Sequence, residues 1–166
     1  MTRDTYIRMT DAARKMAARL PGGAAVFRIP TYICAAAYIA ALFTLMFRQD
    51  IRLIRVLFVP ASCFFLVTVL RPLINRQRPY DRFDTAPVGH YLRGKGKSMP
   101  SRHAASAAAI AFAVIYAFPS AVLAAAMLLL CALIAALRVL SGQHYPSDVL
   151  AALSISLVIS LIGYTL

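Results

Sequence analysis

Three short clusters of polar residues stand out in this apolar chain because their residue types can bind and cleave a phosphate. In chain order they are Arg71-x6-Arg78-Pro79, Pro100-Ser101-Arg102-His103 and Arg138-x5-His144-x3-Asp148. Each cluster stands at the end of a long apolar segment, where charged groups are costly and commonly mark a functional site. The clusters therefore predict a phosphate site at a membrane surface.

The spacing within each cluster suggests a role for its residues. The guanidinium groups of Arg71 and Arg78 match phosphate oxygens with paired donors. Ser101 can cap a helix whose free N–H groups attract an anion, and this places His103 in the first turn. Asp148 follows His144 by four residues, a spacing that can orient the imidazole and strengthen it as a nucleophile.

Simpler explanations exist for several of these residues when each is taken singly. A cation at the end of a membrane helix can simply anchor it, which would account for Arg71 or Arg138 alone, and we interpret Arg76 and Arg82 in this way. A lone interfacial histidine is commonly a solvated surface group. Asp148 is harder to explain structurally, because it is the only acid among residues 85–166.

Five apolar runs must position these clusters, and they cover residues 30–47, 54–70, 104–118, 121–140 and 149–166. At a rise of about 1.5 Å per residue, each can cross most or all of a hydrocarbon core of about 30 Å. Backbone polar groups in lipid must be paired within their own segment, which requires helices. We predict an all-α multipass bundle of about five spans, with all three clusters at one membrane face.

Composition supports a membrane protein with an anionic ligand. The mean hydropathy is +0.71, and 18 Lys and Arg stand against 6 acids, all of them Asp. These values exclude an ordinary soluble globule, and the basic residues flank the spans instead of forming a nucleic-acid-binding face. The acids are too few and scattered for a hard-cation site, so we expect no metal and no cofactor. The three cysteines lie in apolar runs and are predicted to be buried free thiols.

The first 28 residues form a basic segment that we separate from a membrane domain over residues 29–166. Met9, Ala13, Met16 and Leu20 recur at helical spacing, which predicts an amphipathic interfacial helix ending at Pro21-Gly22-Gly23. A disordered basic tail is the alternative. A second flexible basic stretch, Gly94-Lys95-Gly96-Lys97, lies in the long polar loop between the second and third spans.

The three clusters together resemble the type 2 phosphatidic acid phosphatases, a family that shares its site with vanadium haloperoxidases and some bacterial acid phosphatases. The family pattern is K-x6-RP, then PSGH, then SR-x5-H-x3-D, and the resemblance covers residues 71–148. This chain departs from it with Arg71 in place of Lys, Arg102 in place of Gly and Leu137 in place of Ser. The membrane members commonly have six spans, and the N-terminal segment could replace the missing one.

The resemblance implies a metal-independent phosphatase acting on a lipid phosphate through a phosphohistidine. It implies that His144 attacks phosphorus, that Asp148 orients it, and that His103 protonates the leaving oxygen and then activates water. The phosphoryl oxygens would be held by Arg71, Arg78, Ser101 and Arg138. Arg102 adds a cation that could hold a second phosphate or an anionic headgroup.

Substrate, orientation and oligomeric state stay open at this stage. Polyprenyl phosphates or diphosphates, phosphatidylglycerophosphate and phosphatidate all fit. A haloperoxidase-like enzyme and a nonenzymatic transport or lipid-binding protein are the alternatives. With five spans, and apart from the arginines of the site itself, the membrane face of the site carries eleven Lys and Arg. The opposite face carries Arg48, Arg52 and Arg55. The positive-inside rule thus places the site in the cytoplasm, whereas the family resemblance implies the extracytoplasmic face.

Overall fold

The computed structural model describes residues 1–89, 91 and 96–165, and its regular elements are helices. Arg93, Gly94 and Lys95, which contribute to the charge count and the basic stretch above, lie outside the described residues. The elements in chain order are α1 (Arg3–Arg19), a 3-10 helix (Gly23–Arg28), α2 (Ile29–Phe47), α3 (Arg52–Ile74), α4 (Pro79–Arg82), α5 (Arg102–Ala117), α6 (Ala121–Leu140) and α7 (Pro146–Thr165). The described ranges contain no strand, and the all-α prediction is confirmed.

Four helices of the described chain, α2, α3, α6 and α7, are long and apolar enough to cross a membrane. Large apolar side chains such as Phe47, Phe65 and Leu129 are exposed on them. Such a surface is unfavourable in water but is expected where a bundle faces lipid. The chain is therefore a multipass membrane protein.

The third apolar run, residues 104–118, forms a shorter helix, α5, at the centre of the bundle. Its 16 residues correspond to about 24 Å, and it packs against α2, α3, α6 and α7. Its buried side chains are mostly alanines, and small residues let neighbouring helices approach closely in membranes. The start of α5 is consequently held near the middle of one end of the bundle.

The helix ends that carry the three clusters all meet at this end, which we call the site face. Helix α3 continues past the predicted end of its span, so Arg71 belongs to its last turn and is buried. Helix α7 begins at Pro146, three residues before the predicted span. Proline suits this first helical position because its fixed φ matches the helix and its missing N–H has no partner to lose.

Helix α1 confirms the predicted N-terminal helix, and it too lies at the site face. The hydroxyl of Tyr6 is within hydrogen-bond distance of the carbonyl oxygens of Thr85, at 3.1 Å, and Gly142, at 3.3 Å. Arg14 donates to the carbonyl oxygen of Ala86 at 3.1 Å. The helix is thus docked on the loops around the site.

The face of α1 that packs on the protein shares only Ala13 with the predicted apolar face. Its buried residues are Tyr6, Thr10, Ala13 and Ala17, while Met16 and Leu20 are exposed. The packing face carries the tyrosine hydroxyl that reaches backbone carbonyl oxygens. Met16 and Leu20 are left outside this contact, as an interfacial helix requires of its apolar face.

Candidate active site

A polar cavity of about 380 Å³ opens at the site face, and residues from all three clusters line it. Its lining comprises Arg71, Arg78, Tyr80, Tyr91, Gly96, Lys97, Arg102, His103, Gln143 and His144. Four of these side chains are cations, and none is a carboxylate. Such a cavity is suited to a multiply charged anion such as a phosphate.

His144 lies at the buried wall of this cavity, in the short loop between α6 and α7. Its side chain is only 3% exposed, and its Nδ1 atom is 3.6 Å from Oδ2 of Asp148. This distance exceeds a normal hydrogen bond but brings the two groups into electrostatic contact. Burial lowers the pKa of His144; Asp148 opposes this shift, while the charges of Arg78 and Arg71 add to it. A neutral imidazole at ordinary pH is the form that can act as a nucleophile.

The two arginines of the first cluster are held in place by backbone oxygens. Arg71 donates through Nη2 to the carbonyl oxygen of Lys97. Arg78 donates through Nε to Gly96 O at 3.2 Å and through Nη1 to Gln143 O at 3.3 Å. Because part of each guanidinium is already bound, the forks are oriented before any ligand arrives, which reduces the entropy lost on binding.

The second cluster forms the start of α5, as predicted. Ser101 occupies the N-cap position, but its hydroxyl makes no capping bond, is buried and has no hydrogen-bond partner. Its backbone N–H donates instead to the carbonyl oxygen of Asp148 at 3.0 Å. Arg102 and His103 follow in the first turn and face the cavity. Ser101 therefore joins the second and third clusters through the backbone.

Of the predicted phosphate ligands, Arg71, Arg78 and Arg102 line the polar cavity, Ser101 does not, and Arg138 lines an adjoining space. Arg138 is buried, and its guanidinium donates to Gln143 Oε1 at 3.1 Å and to Thr31 Oγ1 at 3.2 Å. With His103 and Gln143 it lines a second cavity of about 280 Å³. Gln143 lies between Arg138 and the other arginines, and Nε of Arg138 has no hydrogen-bond partner.

The structure also shows neighbours of the predicted site residues that sequence reasoning missed. Ser98 donates through its hydroxyl to Oδ2 of Asp148, and Gln143 takes part in both cavities. The interpretation of Arg76 as a helix anchor is wrong, because its Nη1 lies 2.7 Å from Oδ1 of Asp148. A buried acid in a basic chain needs a counter-charge, and that requirement was the available signal. Arg82, in contrast, is exposed at the surface.

Comparison with known proteins now places the chain in a family. The model of the PAP2 superfamily matches residues 52–166, more than half of the chain, and the chain therefore belongs to this superfamily. A comparison with curated proteins gave no match.

Two solved structures share its fold. One is a transmembrane PAP2-type phosphatidylglycerolphosphate phosphatase from Bacillus subtilis, 23% identical with a TM-score of 0.72, covering 96% of this chain and 83% of that one. The other is LpxE from Aquifex aeolicus, 20% identical with a TM-score of 0.75, covering 98% of this chain and 94% of that one. At these identities the likeness defines the fold and leaves the substrate to be argued from the site.

Proposed function

We propose that the chain is a membrane lipid phosphatase that removes a terminal phosphate through a phosphohistidine. In this scheme His144 attacks phosphorus as the bond to the lipid oxygen breaks, and His103 donates the proton that this oxygen takes up. Burial and the neighbouring cations lower the pKa of His103, and the negative charge of a bound phosphate opposes this shift and favours the protonated imidazole. Water, deprotonated by His103, then attacks the phosphohistidine and releases inorganic phosphate. Arg71 and Arg78 bind the phosphoryl oxygens and stabilise their developing charge.

The remaining predicted ligands have supporting roles in this proposal. Ser101 offers an unpaired hydroxyl beside the start of α5. Arg138 reaches the phosphate region through Gln143, whose side-chain oxygen it holds. Asp148 keeps the imidazole of His144 oriented, with the proton on Nδ1 and the lone pair on Nε2.

One observation carries the lipid part of the proposal: an apolar groove meets the polar cavity at Arg102 and His103. This groove has a volume of about 350 Å³ and is lined by side chains such as Cys34, Phe64 and Ile110. A neighbouring apolar space of about 320 Å³ shares Phe64, Ser106 and Ile110 with it and continues toward Leu57. A phosphate in the cavity could thus carry a hydrocarbon chain along the groove.

Phosphate release from a panel of lipid phosphates by the purified protein tests the activity. We expect release from lipid substrates, no turnover by His144→Ala, and slow formation and breakdown of the phosphoenzyme in His103→Ala. Acid-labile, base-stable phosphate should be trapped on the wild type and be absent from His144→Ala. Equal trapping on that variant would refute the assignment of the nucleophile.

The groove can be tested separately by filling it. Ser106→Phe adds a large side chain to the groove, and Ser154→Phe adds the same side chain on the exposed surface of α7. We expect Ser106→Phe to raise KM for a long-chain lipid phosphate at least tenfold while leaving a short soluble phosphate ester unaffected. Ser154→Phe should change neither. An equal rise in KM for both substrates would show that the groove does not bind the lipid chain.

We further propose that Arg102 favours substrates with a second phosphate. Its side chain contributes to both the polar cavity and the groove, so it lies beside the part of the substrate that follows the leaving oxygen. Diphosphates and phosphatidylglycerophosphate carry an anion in this part of the molecule, and phosphatidate has no second phosphate. Arg102→Gly should therefore lower kcat/KM for a lipid diphosphate about tenfold more than for the matching monophosphate. An unchanged ratio would exclude Arg102 from substrate selection.

A further inference from the structure

Arg76 holds the acid of the catalytic pair although it lies outside the polar cavity. Its Nη1 atom is 2.7 Å from Oδ1 of Asp148, whose side chain is fully buried, and 2.8 Å from Oγ of Ser147. Its guanidinium carbon lies 4.2 Å from the ring centre of Tyr145, a cation–π contact. The guanidinium thus contacts an aromatic face, a hydroxyl and a carboxylate, while 33% of the side chain stays exposed.

The two oxygens of Asp148 have different partners, and this difference fixes the orientation of the carboxylate. Arg76 binds Oδ1, while Oδ2 accepts from Ser98 Oγ and, at 2.9 Å, from the backbone N–H of Tyr145. Oδ2 is also the oxygen that faces Nδ1 of His144. A partial rotation of the carboxylate that moved Oδ2 away from His144 would also move Oδ1 away from Arg76.

Ser98 is itself attached to Arg76 through the backbone. Its N–H donates to the carbonyl oxygen of Arg76 at 2.8 Å. Arg76 therefore positions one partner of Oδ2 with its main chain and binds Oδ1 with its side chain. The segment that precedes Arg78 and the start of α7 are tied together at Asp148.

We infer that Arg76 is a positioning residue for the proposed reaction, acting through Asp148 to keep the proton of His144 on Nδ1. This inference rests on the proposed phosphohistidine mechanism, in which Nε2 must be free to attack phosphorus. Arg76 is absent from the residues that line the polar cavity, so its effect is on turnover and not on phosphate binding. The cation also balances the negative charge of Asp148 in a buried place, where an unpaired carboxylate is costly.

Kinetics of Arg76→Ala and Arg76→Lys, with Arg82→Ala as the matched control, give the first test. Removing the acid that orients a catalytic histidine costs about 10⁴-fold in well-studied triads, and Arg76 is one of several partners of Asp148. We expect Arg76→Ala to lower kcat by about 100-fold with KM changed less than threefold. The kcat of Arg76→Lys should be about tenfold higher than that of Arg76→Ala, and Arg82→Ala should match the wild type. A loss confined to KM would overturn the inference.

A double-mutant cycle with Asp148→Asn separates positioning from general stability. If Arg76 acts through Asp148, Arg76→Ala should lower kcat by less than threefold in the Asp148→Asn background, because the carboxylate it orients is already gone. Added guanidinium ions should raise the activity of Arg76→Ala at least tenfold and should leave the activity of Asp148→Asn unchanged. Fully additive losses and no rescue would show that Arg76 is merely structural.

A spectroscopic readout keeps the test independent of turnover. The chain has three histidines, so the ring nitrogens of ¹⁵N-labelled His144 can be assigned with His144→Ala. We expect the Nδ1–H tautomer to dominate in the wild type and in Arg82→Ala, and to lose its preference in Arg76→Ala as in Asp148→Asn. An unchanged tautomer in folded Arg76→Ala would overturn the inference. If the expected tautomer pattern is found but no lipid phosphate is hydrolysed, that result would count against the proposed function alone.

Discussion

Gly142→Ala should lower kcat although Gly142 is not one of the proposed phosphate ligands. Gly142 has a φ of +75°, and a Cβ atom there would lie 2.6 Å from Cγ2 of Thr10 and 2.7 Å from the hydroxyl oxygen of Tyr6. Tyr6 and Thr10 are fully buried, so neither can swing into solvent. The added methyl group must displace α1, the loop that carries His144, or both.

The expected cost has two parts. A side chain in the left-handed region costs about 1–2 kcal/mol, and crowding a packed site costs about 1–3 kcal/mol. Their sum of about 2–5 kcal/mol corresponds to a fall in Tm of roughly 4–20 °C for a chain of this size. His144 follows Gly142 by two residues, and a displacement of about 1 Å at a reacting group can lower the rate about 100-fold.

Two other glycines provide controls for the two parts. Gly22 has a φ of +88°, but its nearest neighbour to an added Cβ is 3.5 Å away, so Gly22→Ala introduces strain without crowding. Gly163 has no positive φ, and an added Cβ would press on Val59, so Gly163→Ala introduces crowding far from the site.

The comparison needs thermal unfolding in detergent and kcat on one lipid phosphate. We expect all three variants to unfold at lower temperature and only Gly142→Ala to lose kcat by more than tenfold. If Gly163→Ala loses as much activity as Gly142→Ala at a comparable fall in Tm, the link between α1 and the position of His144 is wrong.

Three further predictions concern pH, metal and orientation. Burial lowers the pKa of His144, so kcat/KM should decline on acidification only below about pH 6.5, the usual histidine pKa. A midpoint of this decline at or above about pH 6.5 would contradict a neutral buried nucleophile. Activity should persist in chelator, since the 6 acids of the chain are scattered, and restoration only by added magnesium or zinc would refute this. In a cysteine-free background, Arg48→Cys should react with an impermeant thiol reagent in intact cells and Arg82→Cys only after lysis; the reverse would place the site face outside.

Much of this protein could be predicted from sequence because the relevant signals are local. The length of an apolar run shows whether it can span the bilayer, and the hydrogen-bonding requirement of its backbone N–H and C=O groups in lipid then makes it a helix. The three free cysteines are buried, as their apolar surroundings indicated. The count of membrane crossings predicted that His103 and His144 lie at the same membrane face, and in the structure both line one cavity.

The tertiary structure alone decided which groups complete the site. Arg76 and Asp148 are separated by 72 positions in the chain, and no local pattern distinguishes Arg76 from Arg82. Likewise, only the folded chain places Gln143 between Arg138 and the polar cavity, where its side-chain oxygen accepts a hydrogen bond from Arg138. The partner of a buried charge depends on which segments approach it in three dimensions, whereas hydropathy and spacing act along the chain.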